Sequence, residues 1–251
     1  MKRTSRAELS ELLRALGLRA GDRAFVHAFS ASLGLVECGL AGMHAAFRDV
    51  LGPDGTLVVP AFTSSYRRGE VYDVAASRSF NGAFSEYVRR IPGAARSLDP
   101  LFSFAAEGAE AQMLLQRPGP NCFGQGSGYE VLFAAGVKFV GLGIHWDQGY
   151  SFMMHLEREA GVPYRFEKAY EGVTRLGDGN EIHDRAIHFQ RDEALSVRRN
   201  RTPLGRALVD EGIATERTWH GIVHRCMAAG PVAERVVAAL RADPWCMTRP
   251  A

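Results

Sequence analysis

At 251 residues, 46% hydrophobic and 23% charged, the chain can bury a sizeable core and is too apolar to be disordered. A formal net charge of +2, with no basic run beyond "RRNR" at Arg198–Arg201, argues against a nucleic-acid partner. The cysteines Cys38, Cys122, Cys226 and Cys246 are widely spaced without a CxxC pair, so no zinc site or redox couple is signalled, and no run reaches the roughly 20 apolar residues of a membrane span.

The opening stretch "MKRTSRAELSELLRALGL" lacks the apolar core of a secretion signal. A soluble, cytoplasmic protein with reduced thiols is therefore expected. Ser5 followed by Glu8 predicts a capping box opening an amphipathic helix, with Leu9, Leu12, Leu13 and Leu16 on one face. "RAFVHAF" predicts a buried strand, Gly39 to Val50 a helix ended by "GPDG", and "TLVVPAF" a second strand of the kind found in parallel sheets.

A long polar connection, "TSSYRRGEVYDVAASRSFNG", carries neither period and is expected to line a site. "AFSEYVRRI", "GAEAQMLLQ" and "YEVLFAAG" predict short helices, the last feeding a central strand over residues 137–143. Beyond Pro163, "YRFEKAYEGVTRL", the turn "GDGN" and "EIHDRAIHF" predict a β-hairpin, followed by two or three helices including Pro231 to Ala242. No repeat or linker divides the chain, so one domain over residues 1–251 is expected. Its fold class is α/β, with a mixed, largely parallel central sheet flanked by helices and a C-terminal hairpin and helical cap.

Ligands of open α/β sheets sit outside the carboxyl ends of strands. Three segments leave strand ends in this way: "HAFSASLG", "PAFTSSY" and "GIHWDQGYS". Ser30 and Ser32 are small enough for backbone to approach a phosphate, although the segment matches no Walker or GxGxxG pattern and also suits a plain helix-capping turn. His27, inside an apolar strand, reads as a core histidine, and the glycines of "NCFGQGSGYE" as a mobile loop or a cleft wall. The sharpest cluster is His145, Asp147, His155 and Glu157, because a carboxylate beside an imidazole fixes its tautomer and raises its basicity. HExxH-type spacing is absent, and no metal is expected.

In order and spacing, "GDRAFVHAFSASLG", "LGPDGTLVVPAFT", "FSEYVRRIPGAARSLDPLFSFAAEG", "CFGQGSGYEVLFAAGVKFVGLGI" and "HLEREAGVPYR" resemble the aminoglycoside 3-N-acetyltransferase family over about Gly21 to Arg165. The resemblance implies direct acyl transfer from acetyl-CoA, or another acyl-CoA, to a primary amine of a small-molecule acceptor. It places Ser30, Ser32, Phe62, Thr63, Arg96 and Ser97 near the coenzyme, with the Thr63 hydroxyl or backbone donors stabilising the oxyanion. The family's base is a histidine followed three residues later by glutamate. Aligned without gaps from "GVPYR", that glutamate falls on Glu157 and the histidine position on Met154, with His155 one place later. His155 is the expected base, oriented by Glu157 or Asp147, with His145 in reserve.

Asp99 in "RSLDP" and Gln125 in "FGQGS" also depart from the resistance enzymes, which fits an amino sugar or biosynthetic intermediate as acceptor better than a drug. Two rival readings are a longer acyl-CoA or acyl carrier protein as donor, and a coenzyme-binding protein that has lost its base. Acceptor contacts are expected from the loop Thr63–Gly82 and the hairpin after Tyr164. Tyr66, Tyr72, Trp146 and Tyr150, read as exposed, would stack on substrate or join subunits in a monomer or homodimer.

Overall fold

The computed structural model describes residues 2–250. The strands that matter are β1 (Arg23–Ala28), β2 (Thr56–Pro60), β3 (Ala95–Arg96), β4 (Phe104–Gly108), β5 (Lys138–Leu142), β6 (Arg165–Arg175), β7 (Glu181–Arg191), β8 (Ala214–Trp219) and β9 (Ile222–Ala228). Seven of them form one mixed sheet in the order β8-β9-β5-β1-β2-β4-β3. At its centre β1 runs parallel to both β5 and β2, in register Phe25 to Phe139 and Phe25 to Val58, while the outer pairings are antiparallel. The central strands are buried on both faces, which explains their continuous apolar runs.

Helices α1 (Arg6–Ala15), α2 (Gly39–Leu51) and α3 (Ala83–Arg89) contribute to one core, built on Leu9, Leu13, Phe47 and Phe84. The predicted capping box of α1 is present: the Ser5 hydroxyl accepts from the Glu8 N–H and the Glu8 carboxylate from the Ser5 N–H. Helix α4 (Ala111–Leu114) is a single turn. Helices α5 (Gly128–Ala134), α6 (Phe152–Ala160), α7 (Thr202–Asp210) and α8 (Ala229–Ala242) contribute to a second core, where Phe139 stacks on Phe152 at 4.1 Å between ring centroids. Each such buried ring contributes about 1.5–3 kcal/mol.

The predicted hairpin is β6–β7, paired from Arg165–Arg191 to Arg175–Glu181. The strands β4, β8 and β9 were not legible as strands. In β9 the cause is a polar pair, His224 and Arg225, buried in mid-strand, with Arg225 satisfied by Glu216 at 2.7 Å. The polar connection after β2 is not irregular throughout, because two tyrosines anchor it. Tyr66 donates to the Asp184 carbonyl at 2.8 Å and Tyr72 to the Ser97 carbonyl at 2.7 Å. The expectation that Tyr66, Tyr72, Trp146 and Tyr150 are exposed is thus corrected: all four are buried, Trp146 beneath the Arg225 guanidinium at 4.7 Å. Among the described residues no helix is long and apolar enough to cross a membrane.

The chain leaves β1 through α2 on one face and enters β5 from α5 on the other, so the central strands meet at a topological switch point. A crevice outside their carboxyl ends follows from that geometry.

Candidate active site

A cleft of about 720 Å³ opens there. Phe62 and Asn81 from the segment after β2 line one side, Tyr150, Ser151 and Met154 at the start of α6 form the floor, and Tyr170, His188 and Gln190 of the hairpin form the opposite wall.

Ser151 is the best-held polar group of the floor. The Tyr129 hydroxyl donates to Ser151 Oγ at 2.5 Å, and His27 Nε2 lies 2.8 Å from the same oxygen. Burial pushes His27 down to about 3, so the ring is neutral, and its Nδ1 has no partner among the described residues. We assign the His27 proton to Nε2, because a bare lone pair on Nδ1 costs less in the interior than an unpaired N–H. Ser151 then accepts from both Tyr129 and His27, and its own proton is free to point into the cleft.

The helical period decides the fate of the paired positions after it. Successive residues of a helix project about 100° apart, so Met154 and His155 point in different directions. Met154 faces the cleft. His155 turns toward α5, where its ring stacks on Phe133 at 4.7 Å with an 11° interplanar angle, and Nδ1 accepts the Gly124 N–H at 3.1 Å. Burial pushes this imidazole down to about 4. The expectation of His155 as the base at the cleft mouth is corrected on that ground: it is a packed interior histidine.

Glu157 does not orient His155 either. Its fully buried carboxylate is clamped between Arg165 Nε at 2.7 Å and Arg201 Nη2 at 3.2 Å, and Tyr164 donates to it at 3.3 Å. Burial alone would push this carboxyl up, but Arg201 and Arg165 hold it below the usual carboxylate range. Asp147 caps the next helix, accepting the Arg201 N–H at 2.6 Å and the Thr202 hydroxyl at 3.2 Å. His145, its side chain 60% exposed, lies 3.6 Å from Asp147 and outside the cleft lining. The four residues of the predicted cluster therefore do not converge.

The residues expected to hold coenzyme divide in the same way. Phe62 lines the cleft. Thr63, Arg96 and Ser97 form a buried bracket instead: Arg96 donates to Thr63 Oγ1 at 2.8 Å and to the Ala61 and Ser77 carbonyls, and Ser97 Oγ accepts the Phe104 N–H at 2.8 Å. Thr63 Oγ1 thus accepts from Arg96, and Thr63 is not among the residues lining the cleft. Ser30 and Ser32 sit in a short turn after β1, with Ser32 buried and its hydroxyl unpartnered. Asp99 is buried too, accepting the Leu101 and Phe102 N–H groups at 2.9 Å each, while Gln125 is exposed.

Sequence reasoning missed Ser151, His188 and the cleft arginines. His188 alternates correctly for a strand facing a wall, but only the pairing of β7 shows which wall. Its ring lies 5.0 Å from that of Phe102, its Nδ1 is unpartnered, and burial, with Arg67 and Arg165 nearby, pushes it down to about 3.

A sequence profile of the aminoglycoside 3-N-acetyltransferase family matches residues 25–241. The chain belongs to this family. Among curated members it is 33% identical over 198 residues to the aminoglycoside N(3)-acetyltransferase VII of Streptomyces paromomycinus, covering 71% of this chain and 68% of that one. It is 32% identical over 193 residues to the type VIII enzyme of Streptomyces fradiae, with 69% and 67% covered. In structure, this acetyltransferase superimposes on AAC(3)-IVa apoenzyme with a TM-score of 0.81 at 25% identity, covering 100% and 93% of the two chains. AAC-IIIb, in its binary complex with CoASH, gives 0.83 at 24% identity over 96% and 97%. The mixed sheet with flanking helices is the fold of these acetyltransferases. Among the described residues of this family member, no group of three or more His, Cys, Asp and Glu is placed to hold a metal.

Proposed function

We propose that this protein transfers the acyl group of acetyl-CoA directly to a primary amine, carried on a sugar or natural-product scaffold, with Ser151 and His188 as the working side chains of the cleft. The observation that carries the reading is the Tyr129–Ser151–His27 arrangement on the cleft floor, which, with the His27 proton assigned to Nε2, leaves a hydroxyl proton free to meet a developing oxyanion. Membership of an acetyltransferase family, and CoASH in the AAC-IIIb complex, support the donor.

The amine nitrogen attacks the thioester carbonyl carbon, a C–N bond forms, and the C–S bond breaks. Ser151 donates to the carbonyl oxygen as its charge grows, at the positive end of α6. His188, neutral at neutral pH, accepts the proton leaving the nitrogen, and the departing thiolate takes up a proton. No covalent acyl-enzyme is required. Because burial makes His188 a weak base, the acceptor must supply its amine largely unprotonated.

The test is thiol release from acetyl-CoA against a panel of amino sugars. His188→Ala is expected to lower kcat by roughly 10²–10⁴-fold. His155→Ala should lower thermal stability with kcat unchanged in the folded fraction. Full activity of folded His188→Ala would remove His188 from its role. Met154 on the cleft floor favours a second reading, a coenzyme-binding protein without turnover. Tight CoA binding with no acyl transfer to any amine, in the parent and in Met154→His alike, would support that one.

A further inference from the structure

The charge of the cleft does not suit a polycationic acceptor. Five arginines line it, Arg67, Arg165, Arg191, Arg199 and Arg201, against one lining carboxylate, the exposed Glu193. Behind the wall, Glu157 is shared between Arg165 and Arg201, leaving Arg67, Arg191 and Arg199 without an ion-pair partner among the described residues. Arg165 and Arg191 are register partners across the β6–β7 hairpin. Like charges directly opposite on adjacent strands are destabilising, and here Glu157 answers only the Arg165 side of the pair.

The donors themselves are incompletely used. Arg199 Nε and Arg201 Nε are buried with no acceptor, and Arg201 as a whole is 2% exposed. Burial, with Arg201, Arg191 and Arg165 around it, pushes Arg199 down to about 10, the sign of a site with surplus positive potential. The exposed Arg67 lies over the rings of Phe102 and Tyr170, its guanidinium carbon 5.8 and 5.7 Å from their centroids, at the rim of the cleft. Asp147 fixes the other side through the Arg201 backbone. Arg67 and Arg201 are thus held before any ligand arrives, the first by aromatic neighbours and the second by Glu157, while the buried Arg199 Nε still lacks an acceptor.

We propose that the acceptor bound in this cleft is anionic, an amine-bearing compound with a phosphate or carboxylate group that Arg199, Arg191 and Arg67 hold. The proposal rests on the acyltransferase reading in taking the occupant to be the acceptor. The walls support that choice, since the arginines come from the hairpin, the loop after β2 and the segment leading into α7, and no residue of the Ser30–Leu33 turn lines the cleft. A polycation would meet like charge on three sides in a partly desolvated site.

The test is calorimetric and needs no turnover. Glucosamine 6-phosphate, glucosamine and inorganic pyrophosphate are titrated into the protein, alone and saturated with CoA. Glucosamine 6-phosphate should bind roughly tenfold or more tightly than glucosamine, with CoA present or absent, and lose that advantage at high salt. Arg199→Gln and, separately, the rim variant Arg67→Gln should each weaken glucosamine 6-phosphate by about tenfold, with CoA affinity unchanged. Two results would overturn the proposal: failure of both anionic probes to bind at millimolar concentration, or tighter binding of a polycationic aminoglycoside. Displacement of the probes by CoA would overturn it as well, assigning the arginines to the donor's phosphates. If acyl transfer fails but selective binding of glucosamine 6-phosphate holds, the catalytic reading falls and the anion site stands.

Discussion

Glu157→Gln removes one negative charge from between two guanidiniums in a site almost closed to solvent. At the observed contacts of 2.7 and 3.2 Å the charge centres lie about 4 Å apart, and each pair is worth about 4 kcal/mol of attraction at an effective dielectric of 20. Relief of the carboxylate's own desolvation returns part of that. Breaking a buried pair by removing one partner costs 3–5 kcal/mol as a rule, because the remaining charge stays buried, and here two charges remain and repel each other. For a domain of this size, a loss of about 4 kcal/mol lowers Tm by roughly 8–16 °C. Thermal and urea unfolding followed by circular dichroism would measure it. The double variant Glu157→Gln/Arg165→Gln should recover part of the loss. A single-variant loss under about 1 kcal/mol would refute the account, and would mean that the carboxylate is not what keeps Arg165 and Arg201 in the interior.

Two further outcomes follow from the buried groups. His27 and His155 are held near 3 and 4, whereas in the unfolded chain they titrate near 6.5, so below that value the unfolded state binds more protons and stability falls as pH falls. Urea unfolding should show a loss of about 2 kcal/mol per histidine between pH 7.5 and about pH 5, and His155→Phe should flatten the slope by its share; equal stability at both values would contradict the burial argument. Asp147→Ala should cost about 1 kcal/mol by uncapping α7, measured by urea unfolding; an unchanged stability would deny Asp147 its capping role.

Much of the scaffold could be read from residues alone because local chemistry suffices for it. The Ser5–Glu8 capping box, the apolar runs of β1, β2 and β5, and the hairpin around "GDGN" each carry a signal within a few residues, and the structure contains all of them. The strand β9 carried no such signal, since the burial of Arg225 depends on Glu216 and Trp146 from elsewhere in the chain.

The site followed the opposite logic. The sequence by itself determined which residue types stood near position 155 and that a strand end fed them, together with a family resemblance precise enough to place Met154 where a base is usual. It did not determine direction. Which side chain of an adjacent pair faces a cleft is set by the rotation of α6 against α5. Whether Glu157 serves an imidazole or two arginines is set by β6 and by the approach to α7, which lies 44 residues further along the chain from Glu157 to Arg201. Only tertiary structure decides such matters, because burial and charge neutralisation act between surfaces that meet in space and leave no periodic trace along the chain.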